Sequence, residues 1–182
     1  MHLDGSCHCG KVRFSVEAYA PLPFMRCHCS ICRKTAGGGG FAINLGGWKK
    51  TLKVKGEKHL SVYRAQGGGR ETPGKKSSLR RHFCKHCGSA LWCYDPTWPD
   101  LVHPHASAID TPLPIPPERS HQMLASKANW VVPAVGPAEV SCEDRTIPAS
   151  AAQMKASTAR SAAVTRSRGP LTSTCMSDGR RK

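Results

Sequence analysis

The sequence predicts a mainly β domain followed by a disordered C-terminal tail, and three observations carry that prediction. Short segments alternate polar and apolar residues at the strand period. Glycine and proline, at 17 and 14 of 182 residues, interrupt the chain too often for long helices. All cysteines except Cys142 and Cys175 fall before Asp95, in short-spaced clusters that can staple turns together.

The strands are expected in chain order as follows. Lys11–Glu17 alternates as a half-buried strand, and Phe41–Leu45, Leu52–Lys55 and Leu60–Arg64 read the same way. The run Gly37 to Gly40 is a flexible stretch, and Gly67 to Ser78 is a basic loop between strands. Arg81-His82-Phe83 leads into a cysteine turn, which Ala90–Tyr94 leaves as a further strand. Pro112, Pro114, Pro116 and Pro117 then exclude regular structure, because each lacks a backbone donor and fixes its own φ. The domain is expected over residues 1–132. From 133 to 182 Ala, Ser and Thr dominate without any helical or strand period. Such a segment buries too little to offset its ordering entropy and is expected to be disordered.

Charge is lopsided. The formal net charge is +15, from 27 Lys and Arg against 12 Asp and Glu, and basic residues crowd the stretch from Lys49 to Lys85. That balance suits anionic small substrates or nucleic acid. However, Trp48, Tyr63 and Phe83 are too scattered for a base-stacking platform, and nucleic acid is not favoured. No run of eighteen apolar residues exists, so no membrane partner is expected. The N-terminus lacks the basic-then-apolar pattern of a secretory leader. A reducing compartment is therefore expected: the cytoplasm, with the nucleus as the alternative. There, cysteine clusters are read as metal ligands.

Three clusters carry the chemistry: Cys7-His8-Cys9-Gly10, Cys27-His28-Cys29-Ser30-Ile31-Cys32, and Cys84-Lys85-His86-Cys87-Gly88. A tight turn aims its sulfurs at one point, and a structural zinc takes four tetrahedral ligands. Seven thiolates cannot fill two such sites. The simplest division joins Cys7, Cys9, Cys84 and Cys87 in a closed structural site. Cys27, Cys29 and Cys32 are then left with a second, open zinc, and an open site does chemistry. Other ligands stay in play: His8, His28 and His86 lie between cysteines, and His82 could complete the second site. Cys93, beside Trp92 on a strand, reads as a buried small hydrophobe.

The stretches Gly5–Phe14, Arg26–Lys34 and Phe83–Ser89 resemble the glutathione-dependent formaldehyde-activating enzyme family, which includes centromere protein V. The resemblance covers residues 3 to 131 and includes Ala106–Asp110. It implies a Mss4-like fold, with coiled antiparallel sheets stapled by zinc, similar to a Rab-binding chaperone and to methionine-R-sulfoxide reductases. It also implies Cys7, Cys9, Cys84 and Cys87 on a structural zinc, and Cys27, Cys29 and Cys32 on a catalytic one. The implied activity is carbon–sulfur lyase chemistry, joining glutathione and formaldehyde reversibly into S-hydroxymethylglutathione. Two features depart from the family. The chain runs into low-complexity sequence after Trp130, and His103-Pro104-His105 carries an extra histidine.

A mechanism follows as an expectation. Three thiolates leave a divalent zinc with a net charge of about −1, which suits holding a substrate thiolate better than making hydroxide. Arg26, Arg33 and Lys34 flank the cluster as contacts for glutathione carboxylates. The competing expectation is a non-catalytic, zinc-stabilised module that binds nucleic acid, chromatin or protein.

Overall fold

A computed structural model describes residues 1–66 and 76–142. The structure is mainly β, in three sheets. The first contains β1 (His2–Ser6), β2 (Arg13–Glu17) and β6 (Lys53–Lys55) in the order β1-β2-β6. The second runs β5 (Gly47–Trp48), β10 (Leu101–Pro104), β9 (Ala90–Tyr94), β8 (Arg80–Cys84), β7 (Leu60–Tyr63). The third orders β12 (Glu139–Cys142), β11 (Arg119–Gln122), β3 (Met25–Cys27) and β4 (Ala42–Asn44). One short helix, α1 (Ser30–Thr35), is the α-helix among the described residues.

The alternation read from the sequence is realised in β2. Phe14 and Val16 are buried while Arg13 and Glu17 are exposed, against β1 in the register Gly5↔Phe14. Leu3, Val12, Phe14, Val16, Leu45, Leu91, Trp92 and Val102 form the main core, with the sulfurs of Cys7 and Cys84 inside it. Phe14 meets Trp92 edge-on at 5.1 Å between ring centroids, which ties the first sheet to the second. Gly5 is required there, because a Cβ would enter the Phe14 ring and the Ala108 carbonyl.

Three features differ from the expected pattern. β11 pairs in parallel with both β3 and β12, so the sheets are not purely antiparallel. Long connections separate these strands in sequence, which permits parallel pairing. The segment expected to be disordered from 133 also contributes β12, whose Glu139 carboxylate is buried among Arg26, Arg119 and His121. Backbone pairing with β11 and a charged residue with three partners hold a stretch of low apolar content. The rest of that tail, 143–182, lies outside the described residues, as does most of the basic loop, 67–75. Finally, β1, β3, β5, β10 and β11 were not among the expected strands. β3 and β5 are only three and two residues long, and β10 ends on a proline, so periodicity had little to act on.

Candidate metal centre and active site

The turn after β1 carries Cys7 and Cys9, and the turn after β8 carries Cys84 and Cys87. Gly10 and Gly88, at φ of 71° and 74°, let each turn close behind its sulfurs. The four sulfurs lie within 4.8 Å of one another. Cys7 Sγ is 3.6 Å from Cys9 Sγ, and Cys9 Sγ is 3.8 Å from Cys84 Sγ. A tetrahedron with metal–sulfur bonds of about 2.3 Å has edges of about 3.8 Å, so this donor set fits zinc. The Val12 backbone N–H donates to Cys7 Sγ at 3.2 Å. All of these cysteines are free thiols rather than disulfides. Cys7 and Cys84 are buried and Cys9 and Cys87 exposed, so the group sits where the core meets the surface.

The second group is built by β3 and α1. Cys27 ends β3, and Cys29 caps α1, its Sγ accepting the Cys32 backbone N–H at 3.3 Å. A cysteine thus takes the place of the usual hydroxyl or carboxylate cap. The sulfurs of Cys27, Cys29 and Cys32 lie within 4.8 Å of one another, and no histidine or carboxylate joins them among the described residues. Hydrogen bonds from Cys27 and Cys32 hold the Cys29 thiol far below its ordinary value, while Cys27 is pushed up.

These three sulfurs form one wall of a cavity of about 320 Å³. Met25, Leu79, Leu101 and Met123 supply apolar surface, while Asn44, Arg81, Asp95 and His103 supply polar groups. Met123 adopts φ 61°, a left-handed conformation rare outside glycine, and packs against the sulfur cluster. Such backbone strain is concentrated at functional sites.

The expected flanking cations go elsewhere. Arg26 Nη1 reaches Glu139 and His121, each at 3.4 Å, and its guanidinium lies over the Phe41 ring. Arg33 and Lys34 border a separate shallow groove with Gly37, Gly88 and Ser107. None of the three lines the sulfur cavity. His82 stacks on Trp92 at 5.1 Å instead of joining the trio. His28 is fully buried and exchanges a 3.0 Å hydrogen bond with His121, and His86 pairs with His59 at 2.8 Å.

Two residues that the sequence did not mark stand in the cavity wall. Cys93 is buried, as expected, but it faces Arg81 rather than purely apolar neighbours, and burial pushes its thiol up to about 12. Arg81 is 8% exposed, and its Nη1 donates to Cys32 Sγ at 3.6 Å and Cys93 Sγ at 3.4 Å. Burial works against its charge, but its interactions with the sulfurs of Cys32 and Cys93 outweigh burial and raise its pKa. Its signal in the sequence is hidden, because it is one of twelve basic residues between Lys49 and Lys85. Only the pairing Arg81↔Cys93 across β8 and β9 sets it apart.

Comparison with known proteins completes the picture. A family model described as glutathione-dependent formaldehyde-activating enzyme matches residues 2–125. A Halomonas elongata protein named for that same activity is 60% identical over 131 residues, which are 72% of this chain and 80% of that protein. A crystal structure of a Rhodobacter sphaeroides protein is 28% identical, covering 63% of this chain and 92% of that one, with a TM-score of 0.47.

Proposed function

Because the chain belongs to the glutathione-dependent formaldehyde-activating enzyme family, we propose that it joins glutathione and formaldehyde reversibly into S-hydroxymethylglutathione, as a carbon–sulfur lyase. The observation that supports this most directly is the unequal sharing of sulfurs. Four converge at one point in a closed set, and three converge on a cavity with no fourth protein donor among the described residues. In this reading Cys7, Cys9, Cys84 and Cys87 hold a structural zinc, and Cys27, Cys29 and Cys32 hold a second. When bound there, zinc supplies a Lewis acid that keeps a substrate thiol in its thiolate form at neutral pH.

The chain's own residues do the rest. Cys27, Cys29 and Cys32 set where the substrate sulfur rests, against one wall of the cavity. Met25, Leu79, Leu101 and Met123 exclude water around it, which strengthens every charge interaction inside. Asn44 and Asp95 offer polar groups for the peptide arms of glutathione. The thiolate sulfur then attacks the carbonyl carbon of formaldehyde. A carbon–sulfur bond forms, the carbonyl π pair moves to oxygen, and that oxygen takes up one proton. The reverse reaction breaks the same bond. Holding both reactants in one cavity supplies acceleration through proximity. Arg26, Arg33 and Lys34 do not line this cavity, and the glutathione carboxylates are not assigned to them.

The test is the exchange rate between free glutathione and its hydroxymethyl adduct, read by NMR against the uncatalysed rate. The native protein should exceed the spontaneous rate by about tenfold or more, and Cys29→Ser should return it to background. Metal content should fall from two zinc ions per chain toward one in the same variant. Equal rates with and without native protein would refute the activity.

A further inference from the structure

Among the described residues, Arg81 is a cation with no carboxylate partner. It sits mid-strand in β8, opposite Cys93 on β9 and Tyr63 on β7. It is 8% exposed, and no ion pair to an acidic side chain involves it among the described residues. Among the described residues its side-chain hydrogen-bond partners are sulfurs: Cys32 at 3.6 Å and Cys93 at 3.4 Å. A buried charge without a counter-charge is strongly destabilising, and among the described residues the three-sulfur group that includes Cys32 is what lies beside this guanidinium to supply one.

That arrangement has a consequence for the cavity. Three thiolates around one divalent ion already leave a net charge of about −1, and a substrate thiolate would take it to about −2 inside a low-dielectric pocket. That second negative charge conflicts with an enclosed pocket more than it does with the half-exposed four-sulfur site. A fixed guanidinium on the same wall removes the conflict, because it returns the assembled charge to about −1. Arg81 touches Cys32, one of the three sulfurs, and lines the same cavity, so it is placed to act in this way.

We propose that Arg81 is the charge-balancing, positioning residue that lets the three-sulfur site accept an anionic thiol sulfur, and that it makes the cavity selective for thiolates over neutral sulfur ligands. The inference rests on the reading of the site given above. It differs from a carboxylate-clamp role for the same residue, since a clamp would hold every glutathione derivative alike.

The two roles separate with a pair of probes. Glutathione and S-methylglutathione share both carboxylates and the ammonium group, but only glutathione can present a thiolate. Calorimetric titration of the zinc-loaded full chain should show that Arg81→Gln weakens glutathione binding by about ten- to a hundredfold. The affinity for S-methylglutathione should change by less than about threefold, and Arg81→Lys, which keeps the charge, should recover most of the loss. Cobalt(II)-substituted protein reports separately on the fold and the sulfur ligation, through its sulfur-to-metal charge-transfer bands. Unchanged glutathione affinity in Arg81→Gln, or an equal loss for both probes, overturns the proposal. If Arg81→Gln does not hold metal, Arg81→Lys decides. It must keep at least about a third of the native preference for glutathione over S-methylglutathione, and loss of that preference overturns the proposal. Native protein whose cobalt spectrum ignores glutathione would overturn the glutathione reading itself, and with it this one. The two failures therefore appear in different samples.

Discussion

Gly56 illustrates how single residues hold this fold. It sits at φ 84°, just before a short 3-10 turn at Glu57–His59, and a Cβ there would enter the carbonyl of Lys11. Position 56 therefore faces two penalties together, a left-handed backbone and a direct clash. Gly56→Ala should lower stability by about 2 kcal/mol or more, read as a reduced urea midpoint with an unchanged slope. A neutral result would mean that the loop following β6 can shift away from Lys11 at little cost. The cysteines work at the same scale. Cys29 serves at once as a helix cap and as a member of the sulfur trio, so its substitution should disturb both the turn and the metal.

At the scale of elements, the decisive contact is between β12 and the strands that carry the sulfur turn. Glu139 accepts from Arg119 Nε at 2.7 Å and lies 3.0 Å from His121 Nε2 and 3.4 Å from Arg26 Nη1. His121 in turn bonds His28 at 3.0 Å, and the His28 backbone N–H donates to the Gln122 carbonyl at 2.9 Å. The last described strand is thus connected, through two histidines, to the residue between Cys27 and Cys29. The Glu139 side chain is 7% exposed but its arginine partners are 20% and 27% exposed, so solvent screens part of the interaction. Glu139→Ala should cost about 2 kcal/mol and speed amide hydrogen exchange in Arg119–Gln122. Exchange rates there matching the native protein would show that β12 docks without its carboxylate. The elements thus place a charge network beside the Cys27–Cys32 turn, in addition to the packing of that turn against Ala42, Ala36 and Met123.

Over the whole molecule, buried histidines set the response to acid. Burial lowers the His105 pKa to about 4, and lowers those of His103 and His82 as well. In the unfolded chain each returns toward the ordinary histidine value of 6.5. The unfolded state therefore binds more protons between those limits. Stability is full above about pH 6.5 and is lost as pH falls toward about 4. Replacing His105 with Gln should make that decline shallower by up to about 1.4 kcal/mol per pH unit, measured by urea unfolding across the window. An unaltered slope would mean that His105 binds its proton alike in the folded and unfolded chains. Protonation of the sulfur ligands contributes in both proteins and cancels in the comparison. Among the described residues no helix is long and apolar enough to cross a membrane.

The cysteine division was legible in the sequence because ligand chemistry is local. Two thiols a few residues apart share a turn whatever surrounds them, and seven sulfurs divide into four and three by counting alone. Strands such as β2, β6, β7 and β9 were legible for a similar reason, since alternation at period two is written residue by residue. The short strands β3 and β5, the parallel pairing of β11 and the capture of β12 were not legible. Each depends on partners more than fifteen positions away in sequence. The same holds for the cavity wall. Arg26 beside Cys27 looked available and is occupied by Glu139, whereas Arg81 looked like ordinary surface charge and lies buried against Cys32 and Cys93. Sequence determined which atoms can bind metal. Only the tertiary structure decided which charges face them, because burial and counter-charge are properties of the assembled sheets rather than of neighbours along the chain.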